Sequence, residues 1–151
     1  IADGTDLGKT AKKFIDEGKL VTDELIINMI DSELESAKNE KGVIFDGFPR
    51  TYAQAEALKK LLNKRGTDVS VMLNIQVDDA ELIKRLLERG KTSGRSDDNL
   101  ETITKRLNTY KEQTTPVIDF YKKEGTCVDI KGVGVLDEIF ANICKAIDTS
   151  K

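Results

Sequence analysis

Two short apolar runs, each closing on an aspartate, constrain this chain more than any other feature. The first is Lys41-Gly42-Val43-Ile44-Phe45-Asp46-Gly47; the second is Val69-Ser70-Val71-Met72-Leu73-Asn74-Ile75-Gln76-Val77-Asp78. Both are rich in β-branched residues, and a run of this length bounded by turn residues reads as a buried strand delivering a polar side chain at its tip. A third, weaker run is Thr126-Cys127-Val128-Asp129-Ile130, closed by Lys131-Gly132.

Helical periodicities fill the intervals. Leu25, Ile26, Met29, Ile30 and Leu34 recur at helical spacing behind Thr22 and Asp23 as candidate caps. Ala55, Leu58, Leu61 and Leu62 follow a cap at Thr51 and stop at Arg65-Gly66. Leu82, Ile83, Leu86 and Leu87 form a third apolar face, with Gly90 predicted to end it. Ile103, Leu107, Tyr110, Val117, Ile118 and Tyr121 form a longer one that Pro116 is expected to kink, and Leu136, Ile139, Phe140, Ile143 and Ile147 give the last. Strands alternating with helices predict βαβ units, hence an α/β domain with a parallel sheet flanked by helices.

Composition removes several classes of function. The 151 residues suit a single domain; the net charge of −3 offers no overall basic field for nucleic acid or a membrane surface. No apolar run reaches the ~18 residues of a membrane span, and Ile1-Ala2-Asp3-Gly4 is unlike a signal peptide, so a soluble cytoplasmic protein is expected. There is no histidine, and Cys127 and Cys144 cannot make a four-ligand zinc site, so neither histidine catalysis nor structural zinc is expected.

Gly4-Thr5-Asp6-Leu7-Gly8-Lys9-Thr10 imitates a phosphate-binding loop, but the residue five before Gly8 is Asp3, and three residues leave no room for the strand such a loop requires. Gly8-Lys9-Thr10 is read as ordinary surface helix.

Arginine is scarce, six of the 24 basic residues, yet Arg85, Arg89, Arg95 and Arg106 fall within 22 residues. Planar bidentate donors clustered in this way suit phosphate oxygens. The plainer alternative is a salt-bridged surface with Glu81, Glu88, Asp97, Asp98 and Glu101 as partners. The jointed, polar stretch from Gly90 to Asn99 carries one of these arginines and has the character of a mobile functional loop. The second constellation is Asp46-Gly47-Phe48-Pro49-Arg50-Thr51, directly after the first predicted strand, where parallel sheets collect ligands. Asp and Arg could instead simply pair with each other across the turn. Gln54 follows on the first turn of the helix; its amide can donate and accept together, the geometry that reads an adenine edge.

Phe45-Asp46-Gly47-Phe48-Pro49-Arg50-Thr51, Gln54, and Arg89-Gly90-Lys91-Thr92-Ser93-Gly94-Arg95-Ser96-Asp97-Asp98-Asn99 together resemble the nucleoside monophosphate kinase family, and within it the adenylate kinases with a short lid. The resemblance runs over essentially the whole chain. It implies a P-loop NTPase-like three-layer fold and reversible transfer of the terminal phosphoryl group of ATP, with Mg²⁺, to AMP, giving two ADP. It also implies a monomer whose partners are ATP, AMP and ADP. Position by position, Gly47, Phe48, Pro49 and Arg50 match the AMP-contacting turn, with the arginine at the AMP phosphate, and Gln54 matches the adenine-reading glutamine. Lys19, Leu20 and Val21 resemble the stretch whose backbone lines the AMP pocket. Asp46 matches the carboxylate that orients the metal's water shell. Arg89 corresponds to an arginine on the ATP phosphates, Arg85 to one near the ATP adenine, and Gly134 to a backbone contact with that adenine. Arg95 and Arg106 correspond to arginines bridging the transferring phosphoryl and the AMP phosphate.

One departure accompanies this match. The family's opening strand, Gly-rich loop and following helix have no counterpart here, so the chain reads as lacking its first strands, roughly 30–40 residues if one βαβ unit is gone. In the family's strand order, 2-3-1-4-5, the strands predicted at 42–47 and 69–78 would both neighbour the missing one. Residues 1–21 are then the remnant of an AMP-binding subdomain, and 22–151 a core domain with a short lid at about 88–98. On this reading the 151 residues alone are inactive. The rival readings are a UMP/CMP kinase, against which Gln54 speaks, and a non-catalytic nucleotide-binding fragment.

Overall fold

A computed structural model describes residues 8–9, 22–93 and 98–150. Gly8 and Lys9 are helical, as read from the sequence. The remaining elements run α1 (Asp23–Ser36), α2 (Tyr52–Lys64), β1 (Met72–Gln76), α3 (Asp79–Ser93), α4 (Leu100–Thr109), a π-turn (Tyr110–Thr114), α5 (Thr115–Lys123), β2 (Cys127–Lys131) and α6 (Leu136–Thr149). This is the expected α/β arrangement, a small parallel sheet flanked by helices. The readings on Lys19, Leu20, Val21 and Arg95, and on residues 1–21 apart from Gly8 and Lys9, lie outside the described residues.

The caps read from sequence are the caps observed. Thr22 Oγ1 accepts from the Leu25 N–H at 3.3 Å, and Thr51 Oγ1 accepts from the Gln54 N–H at 3.2 Å. Asn99 does the same for Thr102 at 3.0 Å. Each satisfies an amide that the first helical turn leaves without a partner, worth about 1 kcal/mol.

β1 and β2 pair in parallel, with Met72 opposite Cys127 and Gln76 opposite Lys131. The crossover through α3, α4 and α5 brings them together. Ala55, Val117 and Tyr121 form the buried centre, with Val69, Met72, Phe120 and Cys127 packed around it. Phe120 meets both Tyr52 and Tyr121 edge-on, at ring-centroid distances of 5.5 and 5.1 Å. Leu58 of α2 and Ile103 of α4 are fully buried; truncating either to alanine would cost about 2–5 kcal/mol. At the ends of the strands Gly132 is held to β1 by its N–H on the Gln76 carbonyl at 2.8 Å. A Cβ there would lie 2.7 Å from the methyl groups of both Ile75 and Val77, so only glycine permits this approach.

Two local expectations are corrected, and a third takes a specific form. The segment 41–47 is not a strand: 42–45 run without pairing, with Ile44 90% exposed. A strand exists only through a neighbour's ladder of hydrogen bonds. Among the described residues the sheet has two strands, β1 and β2, and neither pairs with this segment. Gly90 does not end α3, which runs on to Ser93. Its missing side chain is used for packing instead, since a Cβ at Gly90 would stand 2.6 Å from the Asp98 carbonyl oxygen. At the predicted kink the helix widens into the π-turn, closed by the Thr115 N–H on the Tyr110 carbonyl. Pro116 then falls in the first turn of α5, where a missing N–H leaves no helical hydrogen bond unmade.

Candidate nucleotide site

The first group of site residues gathers where the unpaired segment turns into α2. Gly47 adopts a φ of 70°, the Phe48-Pro49 peptide is cis, and the chain doubles back so that Arg50 Nε donates to the Gly47 carbonyl at 2.7 Å. The Asp46–Arg50 ion pair that the turn could have made is replaced by this contact. Phe48 and Pro49 are half-buried, Asp46 and Arg50 exposed.

Gln54, only 7% exposed, sits behind the turn on α2. Its Oε1 accepts from the Arg50 N–H at 2.8 Å, and its Nε2 donates to Asp23 Oδ1, on α1, at 2.7 Å. From the other side Thr114, last residue of the π-turn, donates its hydroxyl to the Arg50 carbonyl at 2.9 Å. Both main-chain polar groups of Arg50 are thus held by side chains from separate elements.

The second group is built on one carboxylate. Asp98 accepts from Arg89 Nε at 2.6 Å and Arg89 Nη2 at 2.7 Å, and from Arg106 Nη1 at 3.4 Å. Its side chain is 0% exposed while those of Arg89 and Arg106 are 41% and 46% exposed. The acid is buried beneath two guanidinium groups that still reach solvent. Gly90 makes this possible, because the chain at Asp98 passes where a side chain at residue 90 would stand. The salt-bridged alternative is therefore correct about two partners, Glu81 for Arg85 and Asp98 for Arg89 and Arg106, but the pairing on Asp98 gathers two arginines rather than dispersing them over the surface.

Arg85 lies one turn before Arg89 on α3. Its Nε donates to Glu81 at 2.7 Å and its Nη1 to the Gly132 carbonyl at 3.1 Å, which ties α3 to the loop after β2. Gly134 follows in that loop with a φ of 131°, a conformation open to glycine.

Asp46 takes part in neither group of contacts. Among the described residues no three or more carboxylate, cysteine or histidine side chains converge as a metal cage. A single exposed carboxylate suits Mg²⁺, which keeps several waters and takes its other ligands from bound phosphates.

From sequence, Thr114 goes unremarked, Asp23 figures only as a candidate cap, and Asp98 only as a salt-bridge partner and a member of the Arg89–Asn99 motif. Neither Asp23 nor Thr114 carried a signal for its site contact, since a first-turn acid and a threonine near a helix start are commonplace. Asp98 could have been found from its place before the Asn99 cap, which fixes it at the entrance of α4.

Comparison with known proteins accords with this geometry. The adenylate kinase family profile matches residues 1–126. An adenylate kinase of Parabacteroides distasonis is 63% identical over 147 residues, covering 97% of this chain and 77% of that protein. One of Bacteroides thetaiotaomicron is 60% identical over 148 residues, covering 98% and 78%; another, of Phocaeicola vulgatus, is 59% identical over 148 residues with the same coverage. With the turn, the glutamine and the paired arginines in place, the chain belongs to the adenylate kinase family.

Proposed function

We propose that the protein, in its full-length form, transfers the terminal phosphoryl group of ATP, presented with Mg²⁺, to AMP, giving two ADP. The observation that supports this most is the buried carboxylate of Asp98 under two part-exposed arginines, Arg89 and Arg106. Phosphoryl transfer demands position and positive charge more than covalent chemistry. Donors already oriented by a buried acid need little reorganisation when negative charge develops.

In this reading Arg89 holds the ATP phosphates, while Arg95 and Arg106 bridge the transferring group and the AMP phosphate. Arg85 and Gly134 flank the ATP adenine. Arg50 binds the AMP phosphate beside Gly47, Phe48 and Pro49; Gln54 reads the AMP base, and Lys19, Leu20 and Val21 line its pocket. Asp46 orients the Mg²⁺ water shell, and the bound ion supplies charge neutralisation of the phosphates. No general base is required, because the AMP phosphate is already anionic. Residues 88–98 act as a short lid that excludes water from the transfer, over a core of 22–151, with 1–21 belonging to the AMP-binding part. The protein works as a cytoplasmic monomer.

The test is ADP formation from ATP with AMP, CMP or UMP as acceptor, compared by kcat/KM. Preference for AMP is expected. Preference for CMP or UMP would move the protein to the pyrimidine kinases, and nucleotide binding without turnover to the non-catalytic reading.

A further inference from the structure

The amide of Gln54 is anchored from both ends. Nε2 donates to Asp23 Oδ1 at 2.7 Å, and Oε1 accepts from the Arg50 main-chain N–H at 2.8 Å. A carboxylate can only accept and a backbone N–H can only donate, so the amide has a single allowed orientation. Each end keeps one further capacity: a second hydrogen on Nε2 and a second lone pair on Oε1. The residue therefore offers one donor and one acceptor in a fixed order.

That order discriminates between purines. A 6-aminopurine presents an acceptor, N1, beside a donor, its exocyclic N–H, and fits the amide as it stands. A 6-oxopurine presents N1–H beside an oxygen acceptor, and meets the amide the wrong way round. Accepting it requires Nε2 and Oε1 to exchange places, which would set Oε1 against the Asp23 carboxylate and Nε2 against the Arg50 N–H. A buried polar group left against a like partner costs far more than a lost hydrogen bond.

We infer that Asp23 is a positioning residue that fixes the orientation of the Gln54 amide and so makes the acceptor site select 6-amino over 6-oxo purine monophosphates. The inference rests on the reading of Gln54 as the base-reading residue. Asp23 is delivered by the capped start of α1, where Thr22 holds the first turn, and it is exposed, so its replacement opens no cavity.

The experiment compares AMP with IMP as acceptor, by kcat/KM and by the Kd of each measured calorimetrically without ATP, in the full-length wild-type protein and in its Asp23→Ala, Glu24→Ala and Gln54→Leu variants. Asp23→Ala is expected to lower the AMP-to-IMP ratio about tenfold, as befits loss of a hydrogen bond to a charged group, with KM for ATP within about twofold. Glu24→Ala removes an equal charge from the same helical turn and should leave the ratio unchanged, which a merely electrostatic or structural role would not predict. A wild-type ratio in folded Asp23→Ala, alongside a collapsed ratio in Gln54→Leu, overturns the role of Asp23 alone. An intact ratio in folded Gln54→Leu, or no transfer to AMP by the wild type, overturns the reading of the site and the inference with it.

Discussion

Thr114 Oγ1 donates to the main-chain carbonyl of Arg50 at 2.9 Å, joining residues 64 apart in the sequence. This bond ties the turn that carries Arg50 to the helical arm that carries Arg106. Replacing Thr114 by Val keeps the shape and removes the donor. KM for AMP should rise about two- to tenfold, the worth of one hydrogen bond, with KM for ATP little changed, while Thr114→Ser restores the wild-type value. Steady-state kinetics with each substrate varied in turn decide this; an unaltered KM for AMP would show that the turn stands without the bond.

Asp98→Asn leaves one acceptor oxygen where the carboxylate offers two, so either the Arg89 Nε bond at Oδ2 or the shared Arg89 and Arg106 bonds at Oδ1 must be lost. A fall in kcat of about 10- to 100-fold is expected, with a loss of about 1–3 kcal/mol in stability from the weakened charge-assisted bonds. Urea unfolding and turnover measured on the same preparation check both parts. Wild-type values of both would return the two arginines to an ordinary surface role.

Gly90→Ala separates packing from helix propensity. In an unobstructed helix the change should stabilise by about 1 kcal/mol. Here the new Cβ would meet the Asp98 carbonyl oxygen at 2.6 Å, and a backbone atom cannot turn aside as a flexible side chain can. A lower melting temperature and reduced kcat are expected. Gly42→Ala, with open space around its Cβ, is the matched control and should change neither.

Tyr121 gives the protein an alkaline limit. Burial, followed by the charges of Asp68 and Glu124, pushes its hydroxyl from 10.0 up to about 12. The fold favours the neutral phenol. Its contribution is therefore whole below pH 10 and is lost as pH rises from 10 toward 12, as the unfolded chain ionises first. Chemical denaturation across this range should show stability falling in the wild type and a shallower fall in Tyr121→Phe.

Much of the architecture was legible because local chemistry and tertiary packing agree. The caps at Thr22 and Thr51 lie where the sequence puts them; the run at 69–78 contains β1, and the run at 126–130 covers all of β2 but its last residue, Lys131. Disagreement arose where a residue's role depends on something distant in sequence. The run at 41–47 has a strand's composition, but pairing is a property of two segments, and Ile44 stands open. Gly90 looks like a helix stop from its neighbours alone, whereas Asp98, eight residues on, decides its use. The arginines could be named from their clustering, yet only its place before the Asn99 cap set Asp98 apart from the other acids nearby.

The π-turn has a geometric consequence for the arm it interrupts. Successive residues in an α-helix are rotated by about 100° around the axis, and a π-turn takes up one residue more than an α-turn in closing its hydrogen bond. Tyr110–Thr114 therefore acts as a phase shifter between α4 and α5. It sets the angle at which Arg106 leaves one side of the arm while Thr114 reaches Arg50 and Val117 and Tyr121 stay in the core. Were the turn regularised by losing a single residue, the two ends of the arm would fall out of step, and the chain could satisfy its core or its site but not both at once.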